Sequence, residues 1–538
     1  MTNKEIARTF QFLGNIMELH GENPFKIRSY QNAYIQLRKL PQPLAELPEE
    51  ELAAIKGVGK AISGKIRELV ETGRMETLER YRAQTPEGVQ EMLAIKGFGP
   101  KKVRVVWKDL GVETIGELLY AVNENRLLEL KGFGPKTQEE LKRQLEYYQR
   151  SKDKFHWAAL EAEAVAVRDH LRERLPGVQV EWAGAWRRGC NVVERIEVLV
   201  GAEGPLPEIP EGLVNSPLTI YQCAPEAFGS RWFRHTGSAE FLEAFVRAFP
   251  GKDFRDLATE EAVFQRAGLP HIAPELREGE WALERAIGGN LPVLIEASDI
   301  RGVVHAHSTY SDGLHSLREM AEAARSKGYS YLAITDHSQS AFYANGLKPE
   351  RVREQWEEID RLNREQTDFR ILKGIESDIL SDGSLDYEDE LLKGFDLIIA
   401  SIHSNLRMDR EKATQRLIKA VENPYTSLLG HPTGRLLPDR PGADLDMDLI
   451  LESAAASGTI LEINANPSRL DLRDSHVHRA LELGVRLAVN TDAHHADQFE
   501  LLHYGVATAQ RGWATAENVV NTWPVERLLA WIVDGVNG

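Results

Sequence analysis

Histidines and carboxylates gather in the carboxy-terminal half of this 538-residue chain, at spacings that suit metal ions. Eleven of the sixteen histidines lie between 300 and 538. His305-Ala306-His307 places two imidazoles at i and i+2, which share one face of a strand. Asp312 follows in the next loop, and Asp336-His337, Glu376, His403, His431 and Asn490-Thr491-Asp492-Ala493-His494 each sit where a short apolar run ends. Histidine and carboxylate sets of this kind ligate manganese, zinc or iron. A single histidine at a strand end is more often structural, but six strand ends supplying a ligand type form a pattern. The elements that must position them are regular. Apolar runs at 302–305, 331–335, 371–375, 396–401, 427–430, 459–463 and 486–490 alternate with amphipathic helices such as Leu317 to Lys327 and Ala413 to Val421. Seven strands in βα units predict a parallel barrel or open sheet, and in a barrel the chemistry gathers where strands end.

The amino-terminal part carries a threefold repeat. Ile55-Lys56-Gly57-Val58-Gly59-Lys60 recurs as Ile95-Lys96-Gly97-Phe98-Gly99-Pro100-Lys101 and as Leu130-Lys131-Gly132-Phe133-Gly134-Pro135-Lys136, each between predicted helices, one of them Thr137 to Tyr148. Glycines two apart allow a sharp turn, and the following helix start points its N–H groups and positive dipole end outward, an arrangement that grips phosphate without reading a base. The pattern is similar to the helix-hairpin-helix of repair polymerases and ligases. It makes Lys56, Gly57, Gly59, Lys60, Gly97, Gly99, Lys101, Gly132, Gly134 and Lys136 candidate DNA contacts. Lys65, on the helix after the first turn, is a candidate amine nucleophile toward an abasic-site aldehyde, with a phosphate-contacting or solvated lysine as the plainer reading.

Composition narrows the function classes. No apolar run approaches the ~18 residues of a membrane span, and two cysteines, Cys190 and Cys223, exclude a disulfide framework or a cysteine-based zinc ribbon. The start lacks a secretory pattern, so a cytoplasmic setting is expected. Residues 1–150 hold 24 Lys and Arg against 21 Asp and Glu, whereas the remaining 388 hold 41 against 61. Nucleic-acid contact should therefore concentrate in the amino-terminal part, and the acidic remainder suits metal cations.

Residues 1–297 resemble the family-X DNA polymerases, the gap-filling repair class, in their bacterial form. By that resemblance residues 1–82 are a helical lyase-like domain, with Tyr34 and Lys65 on its tyrosine and Schiff-base lysine. Residues 83–150 are helix-hairpin-helix fingers, 151–232 an α+β nucleotidyltransferase-like palm, and 233–297 a thumb. Ala183-Gly184-Ala185-Trp186-Arg187-Arg188-Gly189 matches the turn that holds the incoming triphosphate, and Ala267 to Glu278 matches the stretch that closes the thumb. The departures matter more. Two-metal catalysis there needs Asp-x-Asp on one strand, but those positions are Arg195 and Glu197, and Thr219 stands where the third Asp belongs. Arg195 is expected to repel metal and pair with Glu197. Ala185 replaces the phosphate-binding serine, and Arg234-His235 replace the Tyr-Phe pair under the sugar. Polymerase activity is therefore expected to be absent or vestigial, with Gly184 and Arg188 left as a relic nucleotide site.

Residues 300–538 resemble the PHP (polymerase and histidinol phosphatase) domain, a distorted seven-stranded (βα)7 barrel with three metals. That resemblance implies one ion on His305, His307, Glu376 and Asp492, a second on Glu376, His403 and His431, and a third on Asp312, His337 and His494, with Glu376 bridging. Such a centre supports phosphoester hydrolysis without a protein nucleophile, and Arg435 is a candidate phosphate clamp. The expectation is a monomeric, manganese-dependent (or zinc- or iron-dependent) 3′-5′ DNA exonuclease of DNA repair. Its partner is gapped, 3′-ended or abasic DNA held through the phosphate backbone. A gap-filling polymerase with a proofreading exonuclease is the alternative, and a DNA-end-binding scaffold with vestigial catalysis is a third class.

Overall fold

In the computed structural model, residues 1–534 are described except 39, 41, 56, 124–126, 128–129, 131, 152–153, 367, 407 and 438–441. The chain forms two compact units, Met1–Lys152 and Asp153–Gly538.

The first unit is helical throughout its described residues. Helices Asn3–Leu19, Pro24–Leu37, Lys60–Thr72 and Glu76–Ala83 bury Phe10, Leu13, Tyr30, Ile66 and Leu69 in one core. A second core joins Val89, Phe98, Val103, Phe133 and Leu145 from helices Glu87–Met92, Pro100–Leu110, Ile115–Asn123 and Pro135–Ser151 and the turns between them. These helices are amphipathic at a 3.6-residue period, which is why their apolar stripes meet.

The second unit begins with a small α+β layer. β1 (Phe155–His156) pairs with β3 (Val192–Val193). β2 (Val180–Trp182), β4 (Ile196–Val200) and β5 (Leu218–Gln222) form a sheet in which β4 lies central, antiparallel to β2 and parallel to β5. Helices Phe228–Thr236, Ala239–Ala248, Glu260–Ala267 and Glu280–Ile287 follow, packed around Phe233, Phe241, Phe245 and Phe264.

The barrel comes next. β6 (Gly302–Val303), β7 (Tyr331–Ile334), β8 (Arg370–Asp378), β9 (Leu397–Ser401), β10 (Leu428–Gly430), β11 (Ile460–Asn464) and β12 (Leu487–Asn490) pair in chain order, all parallel. A parallel bridge between Ala306 and Ala493, with His307 N–H donating to Ala493 O at 2.8 Å, brings the two edges together into a nearly closed ring. All seven predicted runs are strands. Their residues are buried on both faces, the signature of a parallel sheet wrapped by helices. The carboxyl ends of the strands point to one rim, and the histidines lie there.

Candidate metal centre and DNA-contacting turns

Glu376 sits at the end of β8 and is fully buried. Five imidazoles surround its carboxylate: His337 Nδ1 at 2.9 Å, His431 Nε2 at 3.0 Å, His403 Nε2 at 3.2 Å, His305 Nε2 at 3.5 Å and His307 Nε2 at 3.7 Å. Asp492 adds a second carboxylate, 3.0 Å from His307 Nε2 and 3.4 Å from His305 Nε2. Asp312 lies 3.4 Å from His494 Nε2 and 3.7 Å from His337 Nε2. All nine expected ligand residues thus converge. Metal-sized clusters form from His305, His307 and Asp492, from His337, Glu376 and His403, and from His307, Asp312, His337 and His494, so that His307 and His337 each lie in two of them.

The donor set fits divalent metal. His305 Nε2 and His307 Nδ1 are buried without hydrogen-bond partners, an arrangement that costs about 1–3 kcal/mol per atom unless a ligand engages it. Asp492 (φ 52°) and His431 (φ 26°) adopt left-handed backbone, strain of roughly 1–3 kcal/mol each that concentrates at functional sites. The electrostatics agree. Burial opposes charge on the His403 and His494 rings, yet Glu376 and Asp378 raise His403 to about 10, and Asp312 and Asp492 raise His494 to about 9. At His307 burial prevails, reinforced by repulsion from His337, and lowers the ring to about 3. Burial would raise Glu376, but His403, His337 and His305 hold it well below the carboxylate range.

A further ring of carboxylates escapes the sequence reading. Glu462, buried on β11, accepts from His305 Nδ1 at 2.7 Å, from His431 N–H at 2.8 Å and from Asn490 Nδ2 at 3.1 Å. Asp378 accepts from His403 Nδ1 at 2.5 Å. Asp336 gathers Ser308, Ser311 and Gln355, fixing the loop that carries Asp312. Asp471 accepts from Thr433 and Gly434 N–H, fixing the loop after His431. Two signals were present: Glu462 is a carboxylate inside an apolar strand, and Asp378 stands at i+2 from Glu376 on the same face.

Arg435, the candidate phosphate clamp, donates to the carbonyl of Arg469 at 2.8 Å and to that of Leu470, which ties its guanidinium to that loop. In the palm, the expected Arg195–Glu197 pair does not form. Arg195 donates to Thr219 at 3.5 Å, and Glu197 accepts from Tyr221 OH at 2.9 Å, because Arg195 precedes the strand that Glu197 belongs to. Glu197 stands opposite Thr219 in the register. At the turn expected to be a relic nucleotide site, a Cβ at Gly184 would fall 1.6 Å from the Glu197 carboxylate, and Arg188 is bound to Glu278 at 2.8 Å and to Thr236 O at 2.7 Å. Arg187 forms a two-pronged pair with Glu260, which also holds the buried Arg277.

The three turns of the first unit share one geometry. Gly57, Gly97 and Gly132 take positive φ of 88°, 79° and 93°, which other residues rarely adopt. Val58, Phe98 and Phe133 are buried, while Gly59, Gly99, Gly134 and Lys60, Lys101, Lys136 are exposed. Gly59 and Gly99 begin their helices with no side-chain cap, leaving first-turn N–H groups to the outside. Lys56 lies outside the described residues. Lys65 Nζ donates to Thr77 Oγ1 at 2.5 Å.

Comparison with known proteins agrees with this layout. A helix-hairpin-helix domain matches residues 1–75, a SAM-like helix-hairpin-helix tandem matches 89–146, and a PHP domain matches 304–466. A probable phosphatase of Caldanaerobacter subterraneus subsp. tengcongensis is 32% identical over 209 residues, covering 35% of this chain and 74% of that protein. The crystal structure of histidinol phosphate phosphatase from Lactococcus lactis subsp. lactis is 18% identical, with a TM-score of 0.32, and covers 39% of this chain and 93% of that one. The DNA polymerase/3′-5′ exonuclease PolX of Bacillus subtilis (strain 168) is 34% identical over 570 aligned residues, covering 99% of both chains. That match runs from the hairpins to the end of the barrel, and the chain belongs to the PolX family, family-X DNA polymerases with a carboxy-terminal PHP domain.

Proposed function

We propose that this protein is a metal-dependent DNA phosphodiesterase that removes nucleotides from 3′ ends in DNA repair. Under this proposal residues 1–82 and 83–150 hold the DNA backbone, 151–232 and 233–297 are a palm and thumb kept as a platform, and 300–538 perform the hydrolysis. The observation that carries it is the burial of Glu376 among five imidazoles at one barrel rim. His305, His307, Asp312, His337, Glu376, His403, His431, Asp492 and His494 would hold up to three manganese, zinc or iron ions. Metal bound there would activate water and neutralise charge on a phosphodiester. The chain's own contribution is positional. Glu462 and Asp378 orient the His305 and His403 rings, while Asp336 and Asp471 fix the loops that carry Asp312 and follow His431. The acidic barrel repels DNA, so the exposed turn lysines and uncapped helix starts of the first unit deliver it.

In manganese buffer, end-labelled DNA should shorten stepwise from its 3′ end, and His305→Ala with His307→Ala should stop it. Digestion that persists in the double variant would refute the proposal. A second reading, gap-filling polymerase with exonuclease proofreading, is favoured by the full-length similarity to a protein named for both activities. It requires dNTP incorporation from a palm whose two Asp-x-Asp positions are Arg195 and Glu197. Borohydride trapping of an abasic oligonucleotide, with and without Lys65→Ala, tests the lyase role separately.

A further inference from the structure

Two large apolar side chains stand exposed beside the metal centre. Phe342 is 86% exposed and Leu314 is 70% exposed. Each is tied to the cluster of His307, Asp312, His337 and His494 by the backbone. Leu314 N–H donates to His494 O at 2.8 Å. Phe342 rides on a loop that leaves the barrel at His337 and returns to it, with Leu347 N–H donating to His337 O at 2.8 Å. The loop is rigidly held. Asn345 Nδ2 reaches the carbonyls of Tyr310 and Ser311 at 3.2 Å each, stapling it to the loop that carries Asp312. Arg351 adds contacts to Asn345 O at 3.1 Å and to Tyr310 O.

The geometry points to Phe342, on a loop anchored at His337 and stapled to the loop that carries Asp312, as a stacking platform for the nucleobase next to the phosphodiester held at the metals. This inference rests on the exonuclease reading above. A phosphate seated at the cluster leaves its nucleoside projecting over the rim, where these side chains stand. Two residues are too small an area for a stable protein interface, but one aromatic face matches one base. Stacking is indifferent to sequence and independent of charge. That suits a half-molecule in which acidic residues outnumber basic ones by 61 to 41, where Coulomb attraction cannot supply the grip. Phe342 therefore selects nucleic acid over small phosphoesters.

The test uses the full-length protein in manganese buffer with three substrates: a single-stranded oligonucleotide, the same oligonucleotide ending in an abasic (tetrahydrofuran) nucleotide, and glycerophosphocholine, a small diester with no ring to stack. Phe342→Ala should raise KM for the oligonucleotide by roughly tenfold with kcat little changed, and should erase the native preference for a terminal nucleotide that carries a base. Phe342→Trp should restore both, and small-diester hydrolysis should match the native rate in each variant. Unchanged KM and retained base preference in Phe342→Ala would overturn this inference alone. A native protein that hydrolyses the small diester but leaves DNA intact would overturn the exonuclease reading and this inference with it.

Discussion

Replacing Glu462 by glutamine changes no volume, yet it should disable the metal centre. The carboxylate now accepts from three close donors: His305 Nδ1–H, His431 N–H and the Asn490 amide. Accepting from Nδ1–H fixes the His305 tautomer, so that Nε2 presents its lone pair toward Glu376 and Asp492. A glutamine has one acceptor oxygen. If that oxygen keeps His431 N–H, its NH2 faces His305 Nδ1 and drives the ring proton to Nε2, aimed at the metal position. If it keeps His305, NH2 meets the His431 N–H donor to donor. Either way one buried group goes unsatisfied, at about 1–3 kcal/mol. Carboxylates that orient metal-bound histidines are worth 10- to 100-fold in metal affinity, or about 1.4–2.7 kcal/mol. Equilibrium dialysis against manganese and zinc, with metal measured by atomic emission, should show Glu462→Gln weaker by that margin. Circular dichroism should show its helices intact. Asp378→Asn should act likewise through His403. Retention of native metal affinity in Glu462→Gln would refute the tautomer argument.

Three further outcomes are expected. Glu260→Gln strands the fully buried Arg277 without its counter-charge, and should destabilise by about 3–5 kcal/mol in urea melts at pH 7. Burial opposes the Glu260 charge, but Arg277, His271 and Arg187 hold its folded pKa far below the unfolded value near 4.5, so its contribution is complete above that value and lost only in strong acid. The gap between native and variant should therefore persist at pH 5, and its disappearance there would count against the ion pair. His403 near 10 and His494 near 9 are protonated in metal-free protein at neutral pH. Their contribution to metal-free stability is full below pH 6.5 and fades as pH rises through 9–10. Metal uptake at pH 7 should release protons, and apparent affinity should rise with pH; calorimetry in buffers of different ionisation enthalpy measures this, and no proton release would contradict it. Finally, primer extension on gapped DNA should show no incorporation, and restoring Asp at 195, 197 and 219 together should not rescue it, because Arg188 stays bound to Glu278. Efficient extension by either protein would refute that.

The barrel was legible because parallel strands are buried on both faces, so each appears as an apolar run, and a ligand at its end stands out against the run. The hairpins were legible because positive φ at Gly57, Gly97 and Gly132 restricts the residue type. Side-chain partnership was not legible in the same way. Nothing in the spacing of Arg435 reveals that Arg469 and Leu470 lie 34 and 35 residues on with their carbonyls turned toward it. Glu462 and Asp378 fell between these cases: their positions were readable from strand period, but their acceptor roles required the facing imidazoles.

The turn expected to hold a triphosphate is joined to the barrel through a chain of charges. Arg188 binds Glu278, Glu278 also binds Arg511 at 2.6 Å, and Arg511 binds Asp474 at 2.7 Å. The first two residues come from segments 151–232 and 233–297, the last two from barrel helices Leu502–Arg511 and Asp474–Glu482. Arg511 is nearly buried, and its guanidinium also donates to Arg188 O at 3.1 Å. Neighbouring contacts reinforce the joint: Thr508 donates to Asn191 at 3.0 Å, and Trp513 packs against Trp281. The turn expected to hold a triphosphate is thus tied through a carboxylate into the metal-bearing half. Loss of residues 151–297 would strip Glu278 from Arg511 and leave the Arg511–Asp474 pair on the barrel surface without that third member. The joint gives this α+β layer a structural use to the barrel that does not depend on polymerisation.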